Sequence, residues 1–395
     1  MKILVVTGTF PPRKFGGMTT VAYNLSKEMT KRGHDVTVYT TDVGDCLNLR
    51  LKVNNVENKD GMKVCYFKNF NNYLAFKHRL FLPITMFLTL RKDLMKFDII
   101  HVHDFRSLLS ILVHHYSKKY DIPYVLQAHG SIPYSSEKEF LKKIFDKLWG
   151  YNILNDASKV IALTKTEFGQ YKNMGVPGDK IEIVPNGINL SEYHKLPKKG
   201  DFRKEYKIKN DEKIILYLGR LNKIKGVDLL INSFSDISKE LNNVKLVIVG
   251  PDDGFLDYLK EMSKNLKLSN DIIFTGPLYK KDKIKAYVDA NVYVLPSRYE
   301  TFPNTIIESC ACGTPVIVTD RCGISDMINN KVGIVVKFEK NSLVKGLISM
   351  LRDNFLRDKF ALECVDLVQK QFNTDFIINK LESIYKSIKK GDLNN

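Results

Sequence analysis

What constrains this chain most is a rhythm. Short β-branched runs alternate with helical stretches along all 395 residues. In the first half, "KILVVTG", "DVTVYTT", "KVCYF", "DIIHVHD", "PYVLQAHG", "KVIAL" and "IEIVP" are short and nearly continuously apolar. Strands buried on both faces read this way. In the second half "KIILYLGR", "VKLVIVG", "IIFTG", "VYVLPS", "PVIVTD" and "GIVVK" repeat the pattern. The stretches between them have helical spacing: in residues 19–33, Val21, Leu25 and Met29 recur at that interval before Gly33. The alternation predicts an α/β fold of two parallel, doubly wound sheets. The chain is too long for one ordinary core and suits two domains. The polar, aperiodic stretch "LSEYHKLPKKGD", residues 190–201, is the expected linker.

Composition narrows the partners. A 44% hydrophobic and 27% charged content belongs to a soluble globular protein. The net charge of +17 is spread over both halves, with neither a basic block nor an RNA-binding signature, so nucleic acid is not an expected partner. The excess reads either as compositional bias or as attraction to anionic ligands or an anionic membrane surface. Cys46, Cys65, Cys310, Cys312, Cys322 and Cys364 form no C-x-x-C pair and no zinc spacing with histidine. Free packing cysteines in a reducing compartment are expected. "MKILVV" reads as a strand rather than a signal peptide, and no apolar run approaches the ~18 residues of a spanning helix. A cytoplasmic protein is expected, with a place at the inner face of the membrane left open. Residues 76–97 carry that question: apolar side chains there are flanked by His78-Arg79 and Arg91-Lys92 and interrupted by Pro83. They read either as an interfacial segment for peripheral membrane contact or as an amphipathic core helix.

Ligands of doubly wound sheets collect at the carboxyl ends of the strands. Those ends carry Gly16-Gly17, His103-Asp104, His129-Gly130, Gly219-Arg220, Gly250-Pro251 and Glu300. In "LYLGRLNKIKGVDLLINSF", residues 216–234, Arg220 and Lys225 stand between a strand end and a helix start, where cations suit phosphate oxygens. In "SRYETFPNTIIES", residues 297–309, Pro303 suits the first turn of a helix that stops at Gly313. Glu300 then lies in the loop and Glu308 in the helix. A glycosidase pair needs carboxyls about 5–9.5 Å apart on either side of one bond. A loop plus helical residues between the two glutamates favours binding instead, with Glu300 on sugar hydroxyls and Glu308 on a ribose. Gly16-Gly17 permits close backbone approach to a ligand but fails the G-x-G-x-x-G pattern.

Together these segments resemble the GT-B glycosyltransferases, specifically the retaining glycosyltransferase family 4 (glycosyl transferases group 1). The resemblance covers nearly the whole chain and is carried by "GGMTTVAYNLSKEMTKRGHDVTVYT", "DIIHVHD", "QAHG", "VPNGIN", "LGRLNKIKGVDLLINSF", "VGPDDGFLDYLK", "IIFTGPL" and "SRYETFPNTIIESCACGTPVIVTD". It implies two Rossmann-like domains facing a cleft: residues 1–190 for the acceptor, 191–371 for the nucleotide sugar, and a C-terminal helix in 372–395 crossing back. It also implies roles. Arg220 and Lys225 would hold the diphosphate and Glu300 the donor sugar. The backbone of Thr301, Phe302, Pro303, Asn304 and Thr305 would lie near sugar and phosphate, and Glu308 would bind the ribose. Gly276 and Leu278 would meet the base, Gly17 would approach the diphosphate, and His129 would lie near the reacting sugar.

The implied reaction moves a hexosyl group from a nucleotide diphosphate sugar to a hydroxyl of a glycan, lipid-linked or small-molecule acceptor. It proceeds with retention and without a cofactor. No Asp-x-Asp motif occurs and Asp252-Asp253 is a weak substitute, so metal independence is expected. Thr301 and Pro303-Asn304 replace residues that are commonly glycine in the family, and "DRCGISDMI" departs from its usual pattern, which bears on donor identity. A nucleotide-sugar epimerase and a non-catalytic nucleotide-sugar-binding protein are the competing readings.

Overall fold

The computed structural model describes residues 1–13, 16–44, 49–134 and 139–391; Cys46 lies outside them. The chain forms two compact units. One is Met1–Gly187 together with the chain from Thr374 onward, and the other is Ile188–Asn373.

The first unit is built on eight strands: β1 (Lys2–Val6), β2 (Asp35–Thr41), β3 (Val56–Lys59), β4 (Met62–Phe67), β5 (Ile99–Val102), β6 (Tyr124–Gln127), β7 (Lys159–Ala162) and β8 (Ile181–Ile183). Their order is β3-β4-β2-β1-β5-β6-β7-β8. The sheet is parallel as expected except at its edge, where β3 runs antiparallel to β4. The link between them is Asp60-Gly61, both at positive φ (50° and 82°), as a tight primed hairpin turn requires. "VENK" is a short, charged edge strand with no apolar run to signal it.

Each face of this sheet is closed by helices. Helices Gly17–Lys31 and Thr374–Gly391 cover one face, where Val21, Leu25, Met29, Ile377, Leu381 and Tyr385 pack on Ile3, Val5 and Val38. Helices Ile84–Asp93, Leu108–Tyr120, Tyr151–Asn155 and Lys165–Asn173 cover the other, around Leu4, Val6 and Leu126.

The second unit has six parallel strands: β9 (Lys213–Leu218), β10 (Val244–Val249), β11 (Ile272–Gly276), β12 (Val292–Leu295), β13 (Val316–Thr319) and β14 (Gly333–Val336). The order β11-β10-β9-β12-β13-β14 is that of a doubly wound nucleotide-binding sheet, with its switch point between β9 and β12. In the first unit the corresponding switch point lies between β1 and β5. The stretch read as a linker is partly ordered, with a 3-10 turn at Leu190–Tyr193 and a short helix at Asp201–Glu205. The five described cysteines are buried and unbridged.

Candidate functional site

At the switch point of the second sheet, the chain leaves β9 at Gly219, makes a 3-10 turn over Lys223–Lys225, and enters helix Val227–Glu240. Gly226 joins turn to helix at φ +69°, and a Cβ there would lie 1.9 Å from the Pro296 carbonyl oxygen. Only glycine lets this turn lie so close to the end of β12. Gly250, after β10, is forced in the same way, since its Cβ would lie 1.8 Å from the Gly219 carbonyl oxygen.

That closeness brings Lys225 and Glu300 together. The Lys225 ammonium ion-pairs with the Glu300 carboxylate, and both side chains are largely buried, at 17% and 18% exposure. The Glu300 backbone is pinned as well: its N–H donates to the Arg321 carbonyl (3.2 Å) and its carbonyl accepts from Gly323 (2.7 Å). The loop carrying Glu300 is clamped to the helix start by Arg298, whose guanidinium makes two bonds to Asp228 (2.9 and 2.6 Å). The Arg298 N–H donates to the Ile224 carbonyl at 2.8 Å. Sequence reasoning missed this clamp, because Asp228 and Arg298 are seventy positions apart and nothing in either segment names the other.

Arg220 behaves differently from Lys225. It is half exposed, at 52%, and pairs with Asp253 at 2.8 Å, as does the Asn222 amide. The second aspartate of Asp252-Asp253 is therefore engaged. The first accepts three backbone N–H bonds, from Gly254, Phe255 and Leu256 (3.0 Å each), and these hold its carboxyl below the usual range. Among the described residues no group of three or more His, Cys, Asp or Glu is placed to hold a metal ion.

Pro303 precedes helix Asn304–Ala311 rather than standing in its first turn, which corrects its expected position by one residue. Pro303, at the N-cap, offers this helix no side-chain cap. Thr301 and Phe302 are buried, and the Phe302 ring packs edge-on against Phe372 at 5.7 Å, so these two residues offer a ligand mainly their backbone. The Tyr293 hydroxyl lies within hydrogen-bond distance of Thr305 Oγ1 (2.7 Å) and of the Leu218 carbonyl (3.1 Å). Glu308, one turn further along, accepts from Lys283 (2.7 Å) and from the Tyr287 hydroxyl (3.1 Å). Each carboxylate oxygen keeps lone-pair capacity for a ribose hydroxyl. Gly276 sits at φ +74°, its carbonyl accepting from Gly250 at 3.0 Å, and Leu278 is partly buried beyond it.

In the first unit, Gly17 is the first residue of its helix, and a Cβ there would meet nothing within 4 Å. Among the described residues there is thus open space beside Gly17. Three histidines gather at the ends of β5 and β6: His101 within β5, His103 just after it, and His129 after β6. His103 Nδ1 and His129 Nε2 are 2.9 Å apart, and the His101 and His103 rings stack at 4.0 Å. Burial lowers His101 and His129 to about 3 and His103 well below its ordinary value, so all three are neutral near pH 7. Burial also raises Asp104 to about 6, against the pull of Arg79 and a hydrogen bond from Ser107. A polar cavity of about 370 Å³ lined by Lys118, Asp121, Asp156 and Lys180 lies at the opposite, amino-terminal edge of β6–β8 and belongs to neither rim.

A doubly wound sheet with a cation–carboxylate pair at its switch point defines a class: proteins that hold a phosphorylated ligand between a basic turn and a helix start. Residues 198–363 match the family described as glycosyl transferases group 1, and residues 15–192 match glycosyltransferase family 4. An uncharacterized glycosyltransferase of Methanocaldococcus jannaschii is 28% identical over 98% of this chain and 98% of its own length. The alpha-monoglucosyldiacylglycerol synthase of Streptococcus pneumoniae is 27% identical, covering 89% of this chain and 78% of that protein. The crystal structure of Anabaena HepE in complex with UDP superposes with a TM-score of 0.81 at 18% identity, over 98% of this chain and 100% of that one. The chain belongs to glycosyltransferase family 4, with the GT-B fold. It is a nucleotide-sugar-dependent glycosyltransferase (EC 2.4), and retention follows from the family.

Proposed function

We propose that the second unit binds the nucleotide sugar and that the Lys225–Glu300 pair is the hinge of catalysis. The observation carrying this reading is that pair, largely buried at the switch point where doubly wound sheets take their ligands. Lys225 and Arg220 face the diphosphate, Glu300 accepts from sugar hydroxyls, and Glu308, steadied by Lys283 and Tyr287, takes the ribose. In the transfer step the bond from the anomeric carbon to the diphosphate breaks, and a bond to the acceptor oxygen forms on the same face. The acceptor proton leaves to a phosphate oxygen. Lys225, Arg220 and the start of helix Asn304–Ala311 stabilise the charge gathering on the departing diphosphate. In the first unit, which we read as the acceptor domain, Gly17 and His129 are the residues we assign to the reaction. Anabaena HepE was solved with UDP, which makes UDP the first nucleotide to test. A thermal-shift screen of UDP-, GDP- and ADP-sugars, followed by mass-spectrometric acceptor profiling, checks this, since a ligand binding only the folded state raises its melting temperature. No shift with any nucleotide sugar at millimolar concentration sinks it.

The acceptor reading we favour is a lipid-linked hydroxyl reached at an anionic membrane surface. Residues 76–97 turn out to be both core and surface. The segment breaks at Pro83, burying Phe81, Met86, Leu90 and Leu94 while exposing Ile84, Phe87, Leu88 and Met95. A second apolar stretch, unmarked by sequence reasoning, supports the same idea. Phe140, Leu141, Ile144, Leu148 and Trp149 are exposed among Lys142, Lys143 and Lys147, with Phe140 at 74%. Helix Ile84–Asp93, through Met86 and Leu90, and helix Glu139–Phe145, through Phe145, pack against the same core of the first unit. Apolar side chains among lysines suit the interface of an anionic bilayer. The Streptococcus pneumoniae relative is by name a diacylglycerol-lipid synthase. Among the described residues no helix is long and apolar enough to cross a membrane. Flotation with phosphatidylglycerol vesicles at low salt should carry the protein, and Phe140→Ser with Leu148→Ser should reduce it. No flotation at low salt refutes membrane contact.

A further inference from the structure

We propose that His103 is a positioning residue for His129, holding its ring and deciding which of its nitrogens carries the proton offered at the strand-end rim. This rests on the reading of His129 as a group beside the reacting sugar.

His101 and His103 are two apart at the end of β5, so they project from the same face of the sheet. Their rings stack at 4.0 Å with 30° between planes. His129 follows β6, the neighbouring strand, and adopts φ +50°, a left-handed conformation uncommon outside glycine. Its ring lies nearly parallel to that of His103, at 20°, with Nε2 2.9 Å from His103 Nδ1. The backbone beside it is fixed. Buried Glu167 accepts from Gly130 (2.6 Å) and from Leu163 (2.7 Å), tying the end of β6 to the end of β7. Behind the pair, the Tyr385 hydroxyl of the C-terminal helix meets His101 Nδ1 at 2.7 Å.

Two neutral imidazoles that share one hydrogen bond have two ways to share it. If His129 donated from Nε2, His103 would carry its own proton on Nε2. That atom is buried and has no hydrogen-bond partner. If His103 donates from Nδ1, its Nε2 is a bare acceptor instead, and an unmet buried acceptor is better tolerated than an unmet buried N–H. His103 therefore donates and His129 accepts at Nε2. A neutral imidazole that accepts at Nε2 carries its proton on Nδ1. Among the described residues His129 Nδ1 makes no hydrogen bond, so this N–H is what the ring presents to a ligand oxygen. His129 is thereby a hydrogen-bond donor to a sugar or acceptor hydroxyl rather than a base.

The test starts with the protein alone. Nitrogen-15 spectra of histidine-labelled protein should show His129 as the Nδ1–H tautomer. His103→Asn places an amide N–H where Nδ1–H stood and should keep that spectrum, whereas His103→Leu should give a mixture. UDP release from UDP-glucose should fall at least ten-fold in kcat for His103→Leu, with KM for the donor unchanged, and Asn should restore most of it. An Nε2–H tautomer in the wild type overturns the proposal even if no variant folds. So does a His103→Leu spectrum and kcat like the wild type's, provided His129→Ala lowers transfer. If His129→Ala leaves transfer unchanged, the reading of His129 fails instead.

Discussion

Replacing Lys225 by Met removes an ammonium of similar chain length and strands the Glu300 carboxylate where 82% of it is out of water. Breaking one side of a fully buried ion pair costs about 3–5 kcal/mol. Residual exposure lowers this to roughly 2–3 kcal/mol. For a unit the size of Ile188–Asn373, that is a melting-temperature drop of about 5–10 °C. Adding Glu300→Gln removes the stranded charge, so the double variant should return to within about 1 kcal/mol of the wild type. Ligand binding should not return with it. A charge-assisted bond to phosphate is worth about 1.5–3 kcal/mol, so both Lys225→Met proteins should bind UDP roughly 10–100-fold more weakly. Differential scanning fluorimetry and titration calorimetry with UDP separate the two effects. Should the double variant regain both stability and UDP affinity, the pair is a strut and not part of the donor site.

Other outcomes follow from the same geometry. Gly226→Ala forces a Cβ into the Pro296 carbonyl at an unfavourable φ; urea titration should show a loss of at least about 2 kcal/mol, and UDP affinity should fall with it. His101 has its folded pKa lowered by burial from 6.5 to about 3, so its stabilising contribution is present above about pH 6.5 and is lost as pH falls toward 3. That loss is about 2 kcal/mol at pH 5. His101→Asn should therefore narrow the difference in melting temperature between pH 7 and pH 5, and an unchanged difference would count against a neutral buried histidine. Chelation by EDTA should leave turnover unaltered; activity lost to EDTA and restored by magnesium would overturn metal independence. Asp252→Ala should cost about 1 kcal/mol of stability through its three lost N–H bonds, without creating any metal requirement.

Much of the fold could be read from the chain because buried parallel strands announce themselves. Runs such as "KIILYL" and "VKLVIV" are apolar on both faces, and each became a strand. "VENK" also became a strand but did not announce itself, since an exposed edge strand alternates charge with little else, and its one signal was the Asp60-Gly61 turn beside it. Lys225 and Glu300 could be picked out as candidates because a charged residue at a strand end is visible one position at a time. Pairing could not be read. Lys283 looks like any surface lysine until helix Lys280–Asp289 sets it against Glu308. His103 was noted as a strand-end histidine, but its bond to His129 needed the register of β5 against β6.

The helix Thr374–Gly391 has a consequence for how the molecule is made. It supplies Ile377, Ile378, Leu381, Ile384 and Tyr385 to a core whose other members come from the first few dozen residues onward. A ribosome releases those early strands long before it makes their cover. The second unit, continuous from Ile188 to Asn373, has all of its own chain before the first does. Domains ordinarily fold in the order they are synthesised. Here the unit that starts first is completed after the second, and the part of its sheet face that helix Thr374–Gly391 covers stays open to chaperones until that helix has been made.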